Sequence, residues 1–396
     1  MAIPEKHACV NCTKKAHDLN AGGNVHLKPL AGYFEKGNET TRLGMQDTLH
    51  RLAEDIETPY DTVLRMFKSS MEVSVVVSVI NLGILKKLSE STNPLSLEML
   101  ADPTVVDPLL LGRLMRYLAS IRVITETSKD NFAANNTTRV FSDPRVEGGL
   151  KYTFHIGGPT YQALPEFLEK QQYQNHTGGK LAWNMGANTD LDFFSWAQQN
   201  PKPLQWFQQL MSVPREGDWL DVVPTISEGK SDVVLVDVGG GMGQQCARLV
   251  ARFPELENRI VLQDRPETIK IAPPIKGVKA MGHNFFTPQI VIGADFYYLR
   301  TVIHDWEDKE AAQILKNLVP AMTPGSKILI DDMVLPNTGV HWWSACLDLH
   351  MYAMHGAMER NEEQWYSLLD NAGLKILEIK TYSPVMRHSV IVAQPK

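Results

Sequence analysis

A chain of 396 residues and 44.4 kDa has room for two domains, and its 43% apolar and 21% charged residues are globular values that exclude a disordered chain. A net charge of −6 speaks against a broad nucleic-acid surface, and no run reaches the ~18 apolar residues of a membrane span. Four cysteines make no disulfide framework and the first six residues carry no hydrophobic signal core, so a cytoplasmic setting without membrane contact is expected.

Residues 1–55 are polar and weakly periodic, and read as an N-terminal arm. Cys9 and Cys12 have the spacing of half a zinc knuckle, but a structural zinc takes four ligands and no second pair follows, so no metal is expected. From Thr58 to Leu88 the pattern is helical. Val75 to Leu85 is apolar nearly all round, which predicts a buried segment. A short helix follows Ser96, its expected cap, and Asp107-Pro108 opens another over Leu109–Ser120. The segments 121–126 and 131–134 read as a hairpin. Three helices and a hairpin are a winged-helix order, and such modules often bind DNA. Here the third helix offers only Arg113 and Arg116 in an acidic chain, so a structural or dimerisation role is the better reading. Residues 150–212 are rich in aromatics, enough for a core and the wall of an apolar pocket. The domains drawn from this pass are 1–55, 56–212 and 213–396.

After residue 231 the character changes. Val233–Val238 is a β-branched run ending in glycines, which suits a buried parallel strand. A helix over 244–253 follows, then strands over 259–263, 294–298 and 327–330, with helices over 266–271 and 310–318 between them. Segments 374–381 and 389–393 read as a closing antiparallel pair. This alternation predicts an α/β fold, an open and mostly parallel Rossmann-like sheet behind a helical winged-helix domain.

The turn Asp237-Val238-Gly239-Gly240-Gly241-Met242-Gly243 joins the first strand to its helix. Glycines there let a ligand approach the backbone at the crevice where such sheets bind nucleotides. Asp264, at the end of the second strand, is placed to accept from a ribose diol. A dinucleotide fingerprint would need a final glycine, but Gln244 or Cys246 stands there. Asp237 would oppose a pyrophosphate and suit a cation, which favours S-adenosyl-L-methionine (SAM) over NAD.

With these residues in view, the chain resembles the plant and fungal class of SAM-dependent small-molecule O-methyltransferases, its fungal secondary-metabolism branch above all. The glycine turn, Leu262-Gln263-Asp264-Arg265-Pro266, Gly282-His283-Asn284-Phe285-Phe286, the segment through His304-Asp305-Trp306, Ile330-Asp331-Asp332 and Gly356 to Arg360 match its motifs in order. The resemblance implies that Gly239, Gly241 and Asp264 hold SAM, with Asn284 and Phe285 at the adenine and Arg300 near the ribose. It implies that His304 is the general base, that Asp332 and Glu359 orient it, and that the chain forms a homodimer.

A phenol with pKa near ~10 needs a base at neutral pH, and a histidine backed by a carboxylate is suited to that task. Three departures stand out. Asn284 replaces the usual aspartate. Asp332 replaces a longer glutamate, with Asp331 beside it as an alternative. His155 stands in the substrate wall, either packed or facing substrate. These departures suit a second reading, in which a SAM-bound relative does not methylate but acts as a pericyclase or dehydratase on pyridone alcohols. His155 would then face His304 across an aromatic pocket, and both would donate hydrogen bonds. The substrate in either case is expected to be a flat, apolar small molecule.

Overall fold

The computed structural model describes residues 39–396 apart from 103–105, 177 and 214–216. Cys9 and Cys12, with most of the expected arm, lie outside the described residues. The first helix, Glu39–Ile56, belongs to a unit separate from Glu57–Lys396.

The larger unit opens with the helix Pro59–Asn81, which is held at its start by a capping box between Thr58 and Asp61. The expected helical run to Leu88 is broken at Gly83, whose φ of +71° starts a second helix, Ile84–Glu90. Val75, Val76, Val77, Val79 and Ile80 are buried as expected, whereas the first half of that helix leaves Tyr60, Val63, Leu64, Met66, Phe67 and Met71 exposed. Ser96 caps Leu97–Ala101 by accepting from the Met99 N–H. The helix Pro108–Ser120 follows, and a small sheet closes the unit's helical half. Its strands β1 (Leu95–Ser96), β2 (Thr125–Ser128) and β3 (Asn131–Ala133) pair antiparallel in the order β1-β3-β2. This is the winged-helix order.

The second half is a seven-stranded sheet: β4 (Leu235–Val238), β5 (Ile260–Asp264), β6 (Val278–Gly282), β7 (Phe296–Arg300), β8 (Lys327–Met333), β9 (Leu374–Ser383) and β10 (His388–Pro395). The order is β6-β5-β4-β7-β8-β10-β9, parallel through β8 and antiparallel on both sides of β10. β6 escaped the sequence pass because three of its five residues are exposed and carry no apolar pattern. Alternate residues of the strands feed two cores. Val236, Val238, Tyr297 and Ile330 pack on one face, and Leu235, Leu262, Tyr298 and Leu329 on the other. The strand order reverses at β4 and β7, so a crevice opens beyond their carboxyl ends.

Among the further helices, Trp342–His355 and Glu362–Asn371 lie between β8 and β9. Met354 of the first packs with Tyr152, Trp183 and Phe193, which joins the aromatic segment to the sheet domain.

Candidate active site

The glycine turn stands at the carboxyl end of β4. Gly239 and Gly241 have φ of +75° and +59°, conformations that side chains rarely adopt. A Cβ at Gly239 would lie 2.9 Å from Val302 Cγ2, so the turn packs directly against the loop that carries His304. A Cβ at Gly241 would meet nothing within 4 Å, so that part of the turn presents bare backbone to open space. The Gly241 N–H donates to Asp264 Oδ2 at 2.9 Å, and the Arg265 N–H donates to Oδ1 at 2.7 Å. Each oxygen keeps a second lone pair for a hydroxyl.

Asp237 lies beneath the turn. It is buried and accepts from the Cys246 thiol at 3.2 Å. Burial pushes its carboxyl up to about 7, against the pull of that hydrogen bond. Phe285 lies near Gly239 and packs edge-on to Phe286 and Trp306. Asn284 is exposed, and its side-chain oxygen accepts from the Phe286 N–H at 3.0 Å, which folds the turn that presents Phe285. The Arg300 guanidinium pairs with Asp331 at 2.8 Å. The same Asp331 accepts from Tyr298 and Tyr382, which ties β7, β8 and β9 together.

Beyond β7, Thr301 has φ of +47°, a strained conformation for a β-branched residue and one that costs on the order of 1–3 kcal/mol. Its N–H donates to the Asp331 carbonyl at 3.1 Å. The kink reverses the chain so that the short turn Ile303–Asp305 points His304 inward. Arg360, fully buried, fixes that turn from behind. It donates to the carbonyls of Ile303 and Trp306 and pairs with Asp308.

His304 Nδ1 lies 2.6 Å from Glu359 Oε1. Nε2 is left outside that contact, with Asp305 Oδ1 at 3.6 Å. Burial disfavours the imidazolium, but Glu359, Asp305 and Asp332 outweigh it and push His304 up to about 10.

Two expectations need correction. The Asp332 carboxylate makes no hydrogen bond to His304, nor to any described residue. His155 does not face His304. It is exposed on the π-helical turn Thr153–Gly157 and stacks on Trp206 at 5.0 Å. The helix turn sends it outward, while Tyr152 and Ile156 on either side turn into the core.

The histidines that do face His304 are His350 and His355, on the helix Trp342–His355, and sequence reasoning missed both. His355 Nε2 lies 3.8 Å from Asp305 Oδ1, and its ring stacks on Phe194. His350 Nδ1 pairs with the Tyr161 hydroxyl at 2.8 Å. Burial, with the charge of His304 adding to it, pushes His350 down to about 4. Burial, then His350 and His304, pushes His355 down to about 3. Both stay neutral beside a charged neighbour. The available signal was two histidines, 350 and 355, in a largely apolar helix that His341 caps.

Known proteins bear out the architecture. Residues 191–375 match the family model of the O-methyltransferase domain, and residues 64–143 match that of the O-methyltransferase dimerisation domain. Demethylsterigmatocystin 6-O-methyltransferase of Aspergillus parasiticus is 36% identical over 92% of this chain and 95% of its own. The chain belongs to this O-methyltransferase family. The O-methyltransferase lepI of Aspergillus flavus is also 36% identical, over 88% of this chain and 93% of its own. A solved LepI complex with SAM superposes with a TM-score of 0.88 at 32% identity, covering 98% of this chain and all of the other. A structure with the same TM-score and identity, covering 97% of this chain, is described as a pericyclic reaction enzyme. OxaC, at 23% identity and a TM-score of 0.82, shares the fold.

SAM is the cofactor of this family, and the residues present fit it. The open backbone at Gly241, the Asp264 acceptors and the absence of any Lys or Arg from residues 237–243 suit a phosphate-free, cationic nucleoside. Among the described residues, no group of three His, Cys, Asp or Glu could hold a metal ion, and no helix is long and apolar enough to cross a membrane.

Proposed function

We propose that this enzyme transfers a methyl group from SAM to a hydroxyl of a flat aromatic or polyketide-derived small molecule, with His304 as the base. The contact that carries the reading is His304 Nδ1 to Glu359 at 2.6 Å, on a loop packed against the glycine turn. With Nδ1 engaged, Nε2 is the atom left to take the acceptor proton, and Glu359 holds the ring and stabilises the imidazolium. Bound at the turn, SAM supplies an electrophilic methyl on a sulfonium. Gly239, Gly241, Asp264 and Phe285 would hold the cofactor, with Asn284 shaping the adenine turn. The aromatic wall around Tyr152, Phe193 and Phe194 would exclude water and orient a planar acceptor. Because His304 is charged at rest, it must first lose a proton, so methyl transfer is expected to quicken toward alkaline pH.

That same charge favours a second reading. An imidazolium at about 10 is a donor rather than a base near neutrality, and would polarise a carbonyl in a dehydration or pericyclic step that leaves SAM intact. The likeness to LepI points the same way. Turnover with methyl-labelled SAM separates the two on a panel of hydroxylated aromatic polyketides and pyridone alcohols. Label in the product supports methyl transfer, whereas an isomer or dehydrated product without label supports the second reading.

A homodimer is part of the proposal. The stripe Met66, Phe67 and Met71, within the matched dimerisation domain, with Val63 just before it, is too apolar to stay in water. Sedimentation of the full chain at twice the monomer mass is expected, and a monomer at micromolar concentration would refute it.

A further inference from the structure

Strand β8 carries two adjacent aspartates that the pleat sends to opposite faces. Asp331 is saturated by Tyr298, Tyr382 and Arg300. Asp332 is equally buried, yet neither of its oxygens has a hydrogen-bond partner among the described residues. His304 has Nδ1 on Glu359 and Nε2 facing Asp305. Arg300, the cation on neighbouring β7, is committed to Asp331.

The charges acting on Asp332 are those of His304, Glu359, Asp331 and Asp305. One imidazolium thus faces Glu359, Asp305 and Asp332. A further carboxylate in a dry pocket with one cation keeps a proton instead of its charge. Burial pushes Asp332 up to about 7, against the pull of His304.

We propose that Asp332 is a proton store that offsets the cofactor's charge, being neutral when the site lacks a sulfonium, ionised when one is bound, and protonated again once it is consumed. The proposal rests on the methyl-transfer reading. In that reaction the acceptor O–H and the S–CH3 bonds break, an O–CH3 bond forms, and the S–CH3 electron pair stays on sulfur. Over the step His304 gives up one proton and takes the hydroxyl proton in its place, while Asp332 gains one; no hydrogen bond joins the two side chains, so the exchange runs through the solvent. Sulfonium and carboxylate before the step become thioether and carboxylic acid after it, so the charge sums to zero on both sides. Asp332 acts through His304 and is a positioning residue for charge.

The test is calorimetry of SAM and S-adenosylhomocysteine binding to the full chain at pH 7, in buffers of different ionisation enthalpy. The two ligands differ by the methyl and its sulfonium charge. SAM is expected to release about half a proton more than S-adenosylhomocysteine. Asp332→Asn should abolish that difference and Asp332→Glu should restore it. Asp237 is the other carboxyl near 7, so Asp237→Asn must leave the difference in place. Equal release by both ligands, a difference that survives Asp332→Asn, or one lost only in Asp237→Asn overturns the proposal. Should Asp332→Asn fail to fold, the native protein decides. The difference should be larger at pH 6.5 than at pH 8, and one that is absent at both, or that grows toward pH 8 as release from His304 would, overturns it. Absence of SAM binding would instead sink the cofactor reading beneath it.

Discussion

The glycine turn and the His304 pocket stand at the same edge of one sheet, and they are built in opposite ways. The turn is local. Its glycines and the strand before them are consecutive, and the distant partners of its N–H groups, Gln263 and Asp264, are neighbours at the end of β5. The pocket is assembled from His304, Asp332, His350, His355 and Glu359, which come from three separate segments, and it holds more carboxylate than it can ionise. The difference teaches where each should be fragile. Damage to the turn should appear as lost cofactor affinity, and damage to the pocket as lost turnover and altered pH behaviour.

The largest expected effect is in the pocket. His304→Ala should cut turnover by ~10²–10⁴, the range for a lost general base, with SAM affinity changed little. Equal losses in binding and turnover would erase the division between the two regions. Next comes the brace behind the pocket. Arg360→Ala leaves two loop carbonyls and Asp308 without their donor, and should lower unfolding free energy by about 3 kcal/mol in urea titration. A stable variant with native turnover would show that the loop holds His304 unaided.

On the turn side, Asp264→Ala should weaken SAM binding by ~1.5–3 kcal/mol in calorimetry, as for a hydrogen bond to a charged group. Unchanged affinity would remove Asp264 from the cofactor site. Smallest is His155→Ala. An exposed ring stacked on Trp206 should change turnover by less than about threefold and stability by within ~0.5 kcal/mol. A loss matching that of His304→Ala would return His155 to the pocket.

Stability against pH sharpens the comparison further. The folded pKa of Asp332 is raised from 3.8 to about 7, so its contribution is complete below 3.8 and is lost as pH rises through 7. His350 and His355 are depressed to about 4 and 3, so theirs is complete above 6.5 and is lost as pH falls toward 3. The two trends oppose each other between pH 4 and 6.5. Asp332→Asn should therefore gain on the native protein between pH 5 and pH 8, read as a rising difference in urea midpoint. A constant difference would mean that Asp332 is ionised throughout.

The strands β4, β5, β7 and β8, the Ser96 cap, the glycine turn with Asp264, and the residues His304 and Glu359 were legible in the sequence. Each rests on a short-range rule: β-branched runs between turns, a capping hydroxyl, glycines where backbone must be bare, a motif in one stretch of chain. Tertiary structure alone decided which side chains meet. Asp331 and Asp332 differ only in strand parity, yet one is tied by two tyrosines and an arginine while the other is left without a partner. His155 has the composition of a pocket residue and faces outward, while His350 and His355 lie in a largely apolar helix that reads as core and reach the pocket. The physical reason is range. Propensity and backbone conformation act over a few residues, whereas burial and charge act across whatever the fold brings together, and the protonation of this site is set by groups tens of residues apart.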